Sequence, residues 1–243
     1  MAIKSVYISE PVVKNDIISI RDEEHRHLSV ARATVDEEIE VFDGRGNVWT
    51  AKISALERRE TQARVTGNRQ VAADAHELIL GQALIRHAAF EFALEKAVEA
   101  GATRIIPFMA GRSNAKDAGR RERWLRIIVE AAKQSKRYHL PVLEEPVSFA
   151  KVLDVVAPTK IVFSERNGTA LRSAIKGSPV LYLIGPEGGW SDEELESAQR
   201  QGFALVGLGS TILRSETAAV VGTALIRYEL ASGTSFPNFP KGK

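Results

Sequence analysis

Short apolar runs rich in β-branched and aromatic residues, separated by polar residues, recur along the first part of the chain. These β-prone runs predict strands at 6–8, 17–20 and 38–42. A turn cluster at Asp43–Asn47 precedes another β-prone run, which predicts a hairpin continuing over 48–53. One more strand is expected at 61–66, where apolar and polar residues alternate. A short helix is expected at 23–32, with Asp22 as its capping residue. We therefore expect a small β-rich domain at 1–70.

The pattern changes after a small-residue stretch at 71–75, which we interpret as a linker. Beyond it, continuous apolar runs typical of buried parallel strands alternate with amphipathic runs typical of helices. We expect strands at 78–85, 103–108, 160–164, 180–184 and 203–206. We expect helices at 88–100, 120–137, 191–201 and 215–231. Strands alternating with helices over 76–232 predict an α/β domain with a parallel sheet.

Three strand ends in this second region carry unusual residues, at 162–168, 183–190 and 206–218. Parallel α/β sheets bind ligands at the carboxyl ends of their strands. The second stretch holds Gly185, Gly188 and Gly189, more glycines than a tight turn usually needs. Glycine allows main-chain groups to approach a ligand closely, so a ligand site is the favoured interpretation.

The third stretch combines apolar side chains with a glycine. Leu208, Ile212 and Leu213 lie around Gly209, and we expect them to form a pocket wall with exposed backbone amides. Such a wall suits a flat heterocycle such as adenine.

Other noticeable residues have a structural explanation. Ser191 and Glu194 match a capping box at a helix start, and Ser215 is positioned to cap the last helix. Trp124 has helical neighbours that favour core packing over base stacking. We assign these residues to structure.

Composition excludes several classes of protein. The chain of 243 residues has 44% hydrophobic and 26% charged residues, which is ordinary for a globular protein. It contains no cysteine, which excludes thiol nucleophiles, disulfides and cysteine-based metal sites. Its five histidines form no convincing metal set, so no metal is expected. Neither a membrane span nor a secretory signal is visible, and a cytoplasmic location without a membrane partner is the default expectation.

Charge is unevenly distributed although the net value is only +2. Residues 104–141 carry a net charge of +7, whereas 187–216 carry −4. A basic block in a nearly neutral chain suggests a polyanion such as RNA, although a solvated amphipathic helix explains the charge equally well.

Several common sites are absent from the sequence. Gly207 and Gly209 lack the third glycine of a dinucleotide fingerprint, which weighs against an NAD-linked oxidoreductase. Neither a phosphate-binding loop with its lysine, a zinc-protease histidine pair nor a nucleophile elbow is present. Glycine-rich loops without these motifs favour a different nucleoside cofactor.

The glycine-rich strand ends resemble the paired signature of a known family. Residues 183–189 followed by 208–218 are similar to that signature in the RsmE family, ribosomal RNA uridine N3-methyltransferases of the SPOUT superfamily. The stretch 123–137 resembles its central motif, and 25–32 with Asp43–Gly44 resemble its amino-terminal landmarks.

This resemblance implies an α/β fold with a small β-barrel PUA-like amino-terminal domain. A SPOUT methyltransferase domain with a carboxyl-terminal trefoil knot would follow, and the protein would be a homodimer. The implied cofactor is S-adenosylmethionine, held by Glu165, Leu183, Ile184, Gly185, Gly188, Gly189, Leu208, Gly209, Ile212, Leu213, Thr217 and Ala218.

The implied reaction is methylation of a uridine in 16S ribosomal RNA within the small ribosomal subunit. Uracil N3 is protonated at neutral pH, so the site must remove its proton or stabilise the developing anion. Our hypothesis is that Arg214 stabilises the charge while Glu216 or Glu187 assists proton removal. The arginines expected to bind RNA are Arg26, Arg32, Arg86, Arg112, Arg120, Arg121, Arg123 and Arg137.

Two alternatives remain open at this stage. One is methylation of another RNA position, such as a ribose 2′-hydroxyl, because the cofactor loops would be shared. The other is a non-catalytic RNA-binding protein that keeps the glycine loops for folding.

Overall fold

A computed structural model describes residues 3–113, 121–166 and 168–231, which fold into two compact units. Within those ranges, the smaller unit comprises residues up to Ala73 together with Ala132–Leu140, and the larger unit comprises the remainder. The smaller unit thus includes a segment distant in sequence, which the β-prone runs of the first 70 residues did not indicate. Arg120 and Asn167 lie outside the described residues.

A six-stranded sheet forms the smaller unit. Its strands are β1 (Lys4–Tyr7), β2 (Val13–Lys14), β3 (Ile17–Arg21), β4 (Glu38–Phe42), β5 (Asn47–Leu56) and β6 (Glu60–Gln70). They lie in the order β1-β4-β5-β6-β3-β2, with β1 and β4 parallel and every other neighbouring pair antiparallel. The hairpin predicted after Asp43 is confirmed as β4–β5. Strand pairing in the described residues does not close this sheet into the expected barrel.

The core of the smaller unit follows from the alternation. Ile18 and Ile20 on β3 are fully buried, as are Ile39 and Val41 on β4. Residues spaced by two share one face of a strand, so both pairs contribute to the same apolar cluster.

Helix α1 (Asp22–Val30) begins directly after β3, and this corrects the predicted cap. Asp22 is the first helical residue, with φ of +52°, and Arg21 occupies the capping position without a side-chain hydrogen bond. Because the strand runs into the helix with no loop between them, the last strand residue becomes the cap.

The larger unit contains a parallel sheet, as predicted. Its strands are β7 (Leu78–Ala83), β8 (Arg104–Met109), β9 (Val142–Leu143), β10 (Val147–Ser148), β11 (Thr159–Phe163), β12 (Val180–Ile184) and β13 (Ala204–Val206). The order is β10-β8-β7-β12-β11-β13, with β9 also paired to β8. All five residues of β12 are buried, which explains its uninterrupted apolar run.

Six helices accompany this sheet within the described residues: α2 (His87–Ala100), α3 (Arg121–Ser135), α4 (Phe149–Leu153), α5 (Leu171–Ala174), α6 (Asp192–Arg200) and α7 (Ser215–Ala231). The predicted end of α2 is confirmed, since Gly101 has φ of +116° in the left-handed region that favours glycine. Ser191 and Glu194 form the predicted capping box of α6. None of the described helices combines the length and the apolar character needed to cross a membrane.

Core packing of the larger unit explains two of its aromatic residues. Trp124 on α3 is 1% exposed and its ring centroid lies 4.6 Å from that of Phe90 on α2, which confirms the predicted core role.

Since all strands run in one direction, the ends of β11, β12 and β13 lie along the same edge of the sheet. That edge carries the site.

Candidate active site

A cavity of about 540 Å³ lies at the carboxyl ends of β11 and β12, between the loops that follow these strands and the loop after β13. The predicted cofactor-binding residues that line it are Glu165, Ile184, Gly185, Gly188, Gly189, Leu208, Gly209, Ile212, Leu213 and Ala218. The three proposed catalytic residues, Glu187, Arg214 and Glu216, also line it. The structure therefore brings together three stretches that are separated in sequence.

Leu183 and Thr217 do not line this cavity. The Leu183 side chain is fully buried and belongs to the core cluster, where it packs beside Gly81. Its strand neighbour Ile184 lines the cavity, and successive side chains of a strand point to opposite faces. The side chain of Leu183, predicted to bind the cofactor, therefore faces the core and not the cavity. Thr217 is half-buried in the first turn of α7.

Two glycines of the loops have backbone angles that other residues rarely adopt. Gly189 has φ of +69° and Gly209 has φ of +117°, both in the left-handed region. The position that a Cβ of Gly209 would take has no atom within 4 Å, so glycine leaves this part of the cavity open. Glycine at these two positions thus follows from backbone conformation.

Trp190 fixes the loop after β12, a role that sequence reasoning missed. Its indole Nε1 donates a hydrogen bond to the Phe163 carbonyl oxygen (2.9 Å), and its ring stacks on Phe108 with centroids 6.1 Å apart. A Cβ on Gly185 would lie only 2.8 Å from the Trp190 ring. Glycine at 185 is therefore required by close packing against an anchored indole.

A short segment after β8 also supports this loop. The Gly111 amide donates to Glu194 Oε1 (2.8 Å), and Arg112 Nη1 donates to the Gly188 carbonyl oxygen (2.7 Å). Glu194 therefore serves the segment as well as its own capping box. Arg112, predicted to bind RNA, lies against the glycine loop.

The cavity carries more acidic than basic side chains. Glu165, Glu187 and Glu216 line it together with Arg86 and Arg214, which gives a net charge of −1. Arg86 Nε donates to Glu187 Oε1 (2.8 Å), and this bond, together with the charge of Glu216, raises the pKa of Arg86 further above its usual range. Arg214 is exposed, and its side chain makes no hydrogen bond to another described residue.

S-adenosylmethionine fits this site in size, lining and charge. Cavities of about 300–1,000 Å³ hold nucleoside-sized ligands. The apolar side chains of Leu208, Ile212 and Leu213 border the open space at Gly209, which suits an adenine ring. A net negative lining suits a ligand whose sulfonium and ammonium groups outweigh one carboxylate.

Family models match most of this chain. An RNA methyltransferase domain matches residues 73–227, and an RNA methyltransferase PUA domain matches residues 20–66. The first covers the parallel sheet and every residue that lines the cavity.

Comparison with a curated protein makes the assignment more specific. The ribosomal RNA small subunit methyltransferase E of Synechocystis sp. is 31% identical over 96% of this chain and 79% of its own length. The chain belongs to the ribosomal RNA small subunit methyltransferase E family. The family predicted from the glycine-rich strand ends is thereby confirmed, and the chain is an RNA methyltransferase with a PUA-like amino-terminal domain.

Solved structures agree with this family assignment. A ribosomal RNA small subunit methyltransferase E from Neisseria gonorrhoeae, bound to S-adenosyl methionine, is 29% identical with a TM-score of 0.87. The match covers 93% of this chain and 98% of that one. A protein from Legionella pneumophila, in complex with the cofactor SAM, is 25% identical with a TM-score of 0.88 and covers 94% and 98% of the two chains.

The predicted RNA-binding arginines are in different situations. Arg26 on α1 and Arg32 just after it are exposed. Arg123 makes two hydrogen bonds to Glu91 (2.5 and 2.7 Å), and Arg121 pairs with Glu145 (2.6 Å). Arg137 is half-buried and belongs to the smaller unit. Arg86 and Arg123 are thus exposed although each is paired with a carboxylate, whereas Arg26 and Arg32 are exposed without such a partner among the described residues.

Proposed function

We propose that this protein transfers a methyl group from S-adenosylmethionine to N3 of a specific uridine in 16S ribosomal RNA of the small ribosomal subunit. The observation that carries the proposal is the cavity at the ends of β11 and β12, which gathers the family's paired glycine-rich stretches into one site. Family membership and the cofactor-bound relatives support the choice of cofactor. Since ribosomal RNA is the proposed substrate, we expect the protein to act in the cytoplasm. We expect no metal, because the methyl group of the cofactor is already electrophilic.

The cavity lining would hold the cofactor through the glycine loops and the apolar wall around Gly209. When bound, S-adenosylmethionine supplies an electrophilic methyl group on a sulfonium centre. The chain's own contribution is then alignment of the uracil ring and control of one proton. Correct positioning of reacting groups alone contributes several kcal/mol, with about 7–11 kcal/mol as the extreme.

Proton control falls to the charged residues at the cavity. Glu187 is already engaged by Arg86, whereas the Glu216 side chain makes no hydrogen bond to another described residue. This difference favours Glu216 as the group that assists removal of the N3 proton. Arg214, which is exposed and also lines the cavity, would stabilise negative charge on a uracil carbonyl oxygen or a phosphate.

RNA binding would use the exposed arginines, with Arg26 and Arg32 in the smaller unit and Arg86 and Arg112 in the larger one. Neutralising phosphates releases counterions, so log affinity should fall linearly with log salt by about 0.7–0.9 for each phosphate. Filter binding of ribosomal RNA across a salt series would measure this slope. A flat response would contradict the proposed contacts.

A trefoil knot is proposed for the carboxyl-terminal region of the larger unit. The loop after β11 is held against β13, since the Thr169 amide donates to the Leu205 carbonyl oxygen (2.9 Å). Strand β13 lies at one end of the sheet order, whereas helix α7, which follows it in sequence, packs against α2 and β7. We infer that the segment between β13 and α7 passes through the loop after β11. A crystal structure that traces 207–214 outside this loop would overturn the knot.

A homodimer is also proposed. Helices α2 and α7 pack together and expose Phe92 (45%) and Leu225 (39%), apolar side chains that a second copy of the chain would cover. Sedimentation equilibrium should give twice the chain mass. A monomer at micromolar concentration would contradict this part of the proposal.

The decisive experiment incubates the purified protein with labelled cofactor and small ribosomal subunits that lack the modification. Mass spectrometry of the digested RNA should reveal 3-methyluridine at one position. A ribose 2′-O-methyl group would overturn the proposed position of methylation. RNA binding without cofactor binding by calorimetry would overturn the activity itself.

A further inference from the structure

Three elements of the larger unit meet in a buried hydrogen-bond network beneath the cavity. Gln82 is the penultimate residue of β7, Ser215 begins α7, and Gly185 follows β12. Gln82 Nε2 donates to Ser215 Oγ (3.0 Å), and Ser215 Oγ donates to the Gly185 carbonyl oxygen (2.6 Å). Gln82 is fully buried and does not line the cavity, whereas Ser215 and Gly185 do.

The direction of each hydrogen bond in this network is determined by its partners. Gln82 Nε2 also donates to the Ala83 carbonyl oxygen (3.1 Å), so the opposite orientation of the amide would place two oxygens against each other. Ser215 Oγ therefore accepts from Gln82, and its own hydrogen is left for the Gly185 carbonyl. The Gln82 amide thus dictates where the Ser215 hydroxyl points.

This arrangement leaves one buried acceptor unpaired. Gln82 Oε1 has no hydrogen-bond partner in the part of the chain that the structure describes. A buried polar atom without a partner is unfavourable for folding, and an apolar side chain of similar length would avoid that cost. Ser215 was expected to cap α7, yet its hydroxyl reaches across to another strand end.

We propose that Gln82 is a positioning residue for the cofactor site. By orienting the Ser215 hydroxyl onto the Gly185 carbonyl, it joins the start of α7 to the loop after β12, and so keeps the cavity in its binding form. Gln82 acts only through Ser215 and touches no ligand. The proposal rests on the proposed function of the cavity as the S-adenosylmethionine site.

The test compares Gln82→Met, Ser215→Ala and the double variant. Methionine keeps the length of glutamine and removes the unpaired oxygen, but it donates neither to Ser215 nor to the Ala83 carbonyl oxygen. We expect each single variant to bind S-adenosylmethionine about five- to tenfold more weakly by calorimetry, the effect of losing one hydrogen bond. The double variant should bind no more weakly than Ser215→Ala, since both changes break the same connection. The melting temperature of Gln82→Met should stay close to that of the wild type, since removal of the unpaired oxygen offsets the lost hydrogen bonds.

Thr159→Val is the matched control. Thr159 is equally buried but lies at the amino end of β11, where its hydroxyl donates to the Gly177 carbonyl oxygen (2.7 Å). This variant should melt at a lower temperature and bind the cofactor as tightly as the wild type.

Each other outcome overturns the inference. Wild-type affinity in Gln82→Met, or weakening that adds to that of Ser215→Ala, would show that Gln82 does not act through Ser215. A Gln82→Met protein that melts earlier and binds the cofactor as tightly as the wild type would show a structural role alone. If Gln82→Met fails to fold, wild-type affinity in Ser215→Ala would overturn the inference. If the wild type itself does not bind S-adenosylmethionine, the proposed function fails instead, and the same titrations reveal it.

Discussion

The two units differ in whether their charged side chains are engaged in hydrogen bonds. In the smaller unit, Glu40 is 8% exposed and accepts hydrogen bonds from Arg69 (2.8 Å), Lys136 (3.1 Å) and Tyr138 (2.7 Å). In the larger unit, Arg214 and Glu216 line an open cavity without side-chain hydrogen bonds to other described residues. One network is closed on itself, and the other presents unused hydrogen-bonding capacity.

This difference separates a structural role from a functional one. Lys136 and Tyr138 come from the segment Ala132–Leu140, so the carboxylate of Glu40 joins that segment to the β-sheet of the smaller unit. Charges with all their partners in place stabilise a fold, whereas charges left open in a cleft are available to a ligand. The two networks should therefore respond to substitution in opposite ways.

Neutralising Arg214 or Glu216 should have the largest effect. We expect the substitutions to lower activity and to leave stability nearly unchanged. Arg214→Ala and Glu216→Gln are each expected to lower the single-turnover rate of methyl transfer about 10²-fold or more. Proton transfer by a positioned group, the role of Glu216, contributes about 10²–10⁴-fold, and stabilisation of developing charge, the role of Arg214, about 10²–10³-fold. Rates should be measured with cofactor at saturation. The stability of both variants should stay within about 0.5 kcal/mol of the wild type, because no internal bond is lost.

If both variants bind the cofactor normally and keep the wild-type single-turnover rate, the functional role proposed for Arg214 and Glu216 is wrong. Arg166→Ala is the matched control. Its guanidinium pairs with Asp192 and does not line the cavity. This variant should keep the wild-type rate.

Removing the buried carboxylate of Glu40 should have the next largest effect, a loss of stability in the smaller unit. Glu40→Ala leaves Arg69, Lys136 and the Tyr138 hydroxyl without their shared acceptor. We expect a loss of about 2–3 kcal/mol, below the value for a fully buried pair because Arg69 and Lys136 are 43% and 38% exposed. Hydrogen exchange of the β5 and β6 amides would measure it, and cofactor affinity should be unchanged. Unaltered exchange would contradict the structural role.

Elements defined by local chemistry were predictable from the sequence. The end of α2 depends on Gly101 in a left-handed conformation, and the start of α6 depends on Ser191 and Glu194 within one helical turn. Strands β9 and β10 have two residues each, too few to show any alternation, and were not predicted.

Residues whose role depends on distant partners were not predictable. The continuous apolar run of β12 gave no sign that Ile184 faces the cavity while Leu183 faces the core. Ser215 matched a local capping pattern, but Gln82 and Gly185 determine where its hydroxyl goes. The glycine content indicated the site, whereas the anchoring of its loop by Trp190 is a tertiary contact without a local pattern.

Close packing in the cavity wall offers a third and smaller test. Gly185→Ala would place a Cβ 2.8 Å from the Trp190 ring, which is held by its hydrogen bond to Phe163. The loop must therefore shift, and we expect cofactor binding to weaken about tenfold, or roughly 1.4 kcal/mol. Gly67→Ala in β6 is the control, since nothing lies within 4 Å of its Cβ position. Equal affinities in both variants would mean that the loop position does not determine binding.

Acidification should give the smallest effect, confined to the closed network. Burial alone would raise the pKa of Glu40, but hydrogen bonds from Tyr138, Arg69 and Lys136 outweigh it and leave the pKa below its ordinary value of 4.5. A lowered folded-state pKa stabilises the protein above the unfolded value, and this contribution is lost as pH falls through the folded value. Because burial offsets much of the hydrogen bonding, the change should be modest.

Glu40→Gln isolates this contribution, since glutamine has a similar shape and does not titrate. The difference in unfolding free energy between wild type and Glu40→Gln should be greatest at neutral pH and shrink from about pH 4.5 downwards. Hydrogen exchange of β5 and β6 at several pH values would follow it. A difference that stays constant with pH would mean that the hydrogen bonds of Glu40 do not depend on its charge, and the closed network would then stabilise the smaller unit through shape alone.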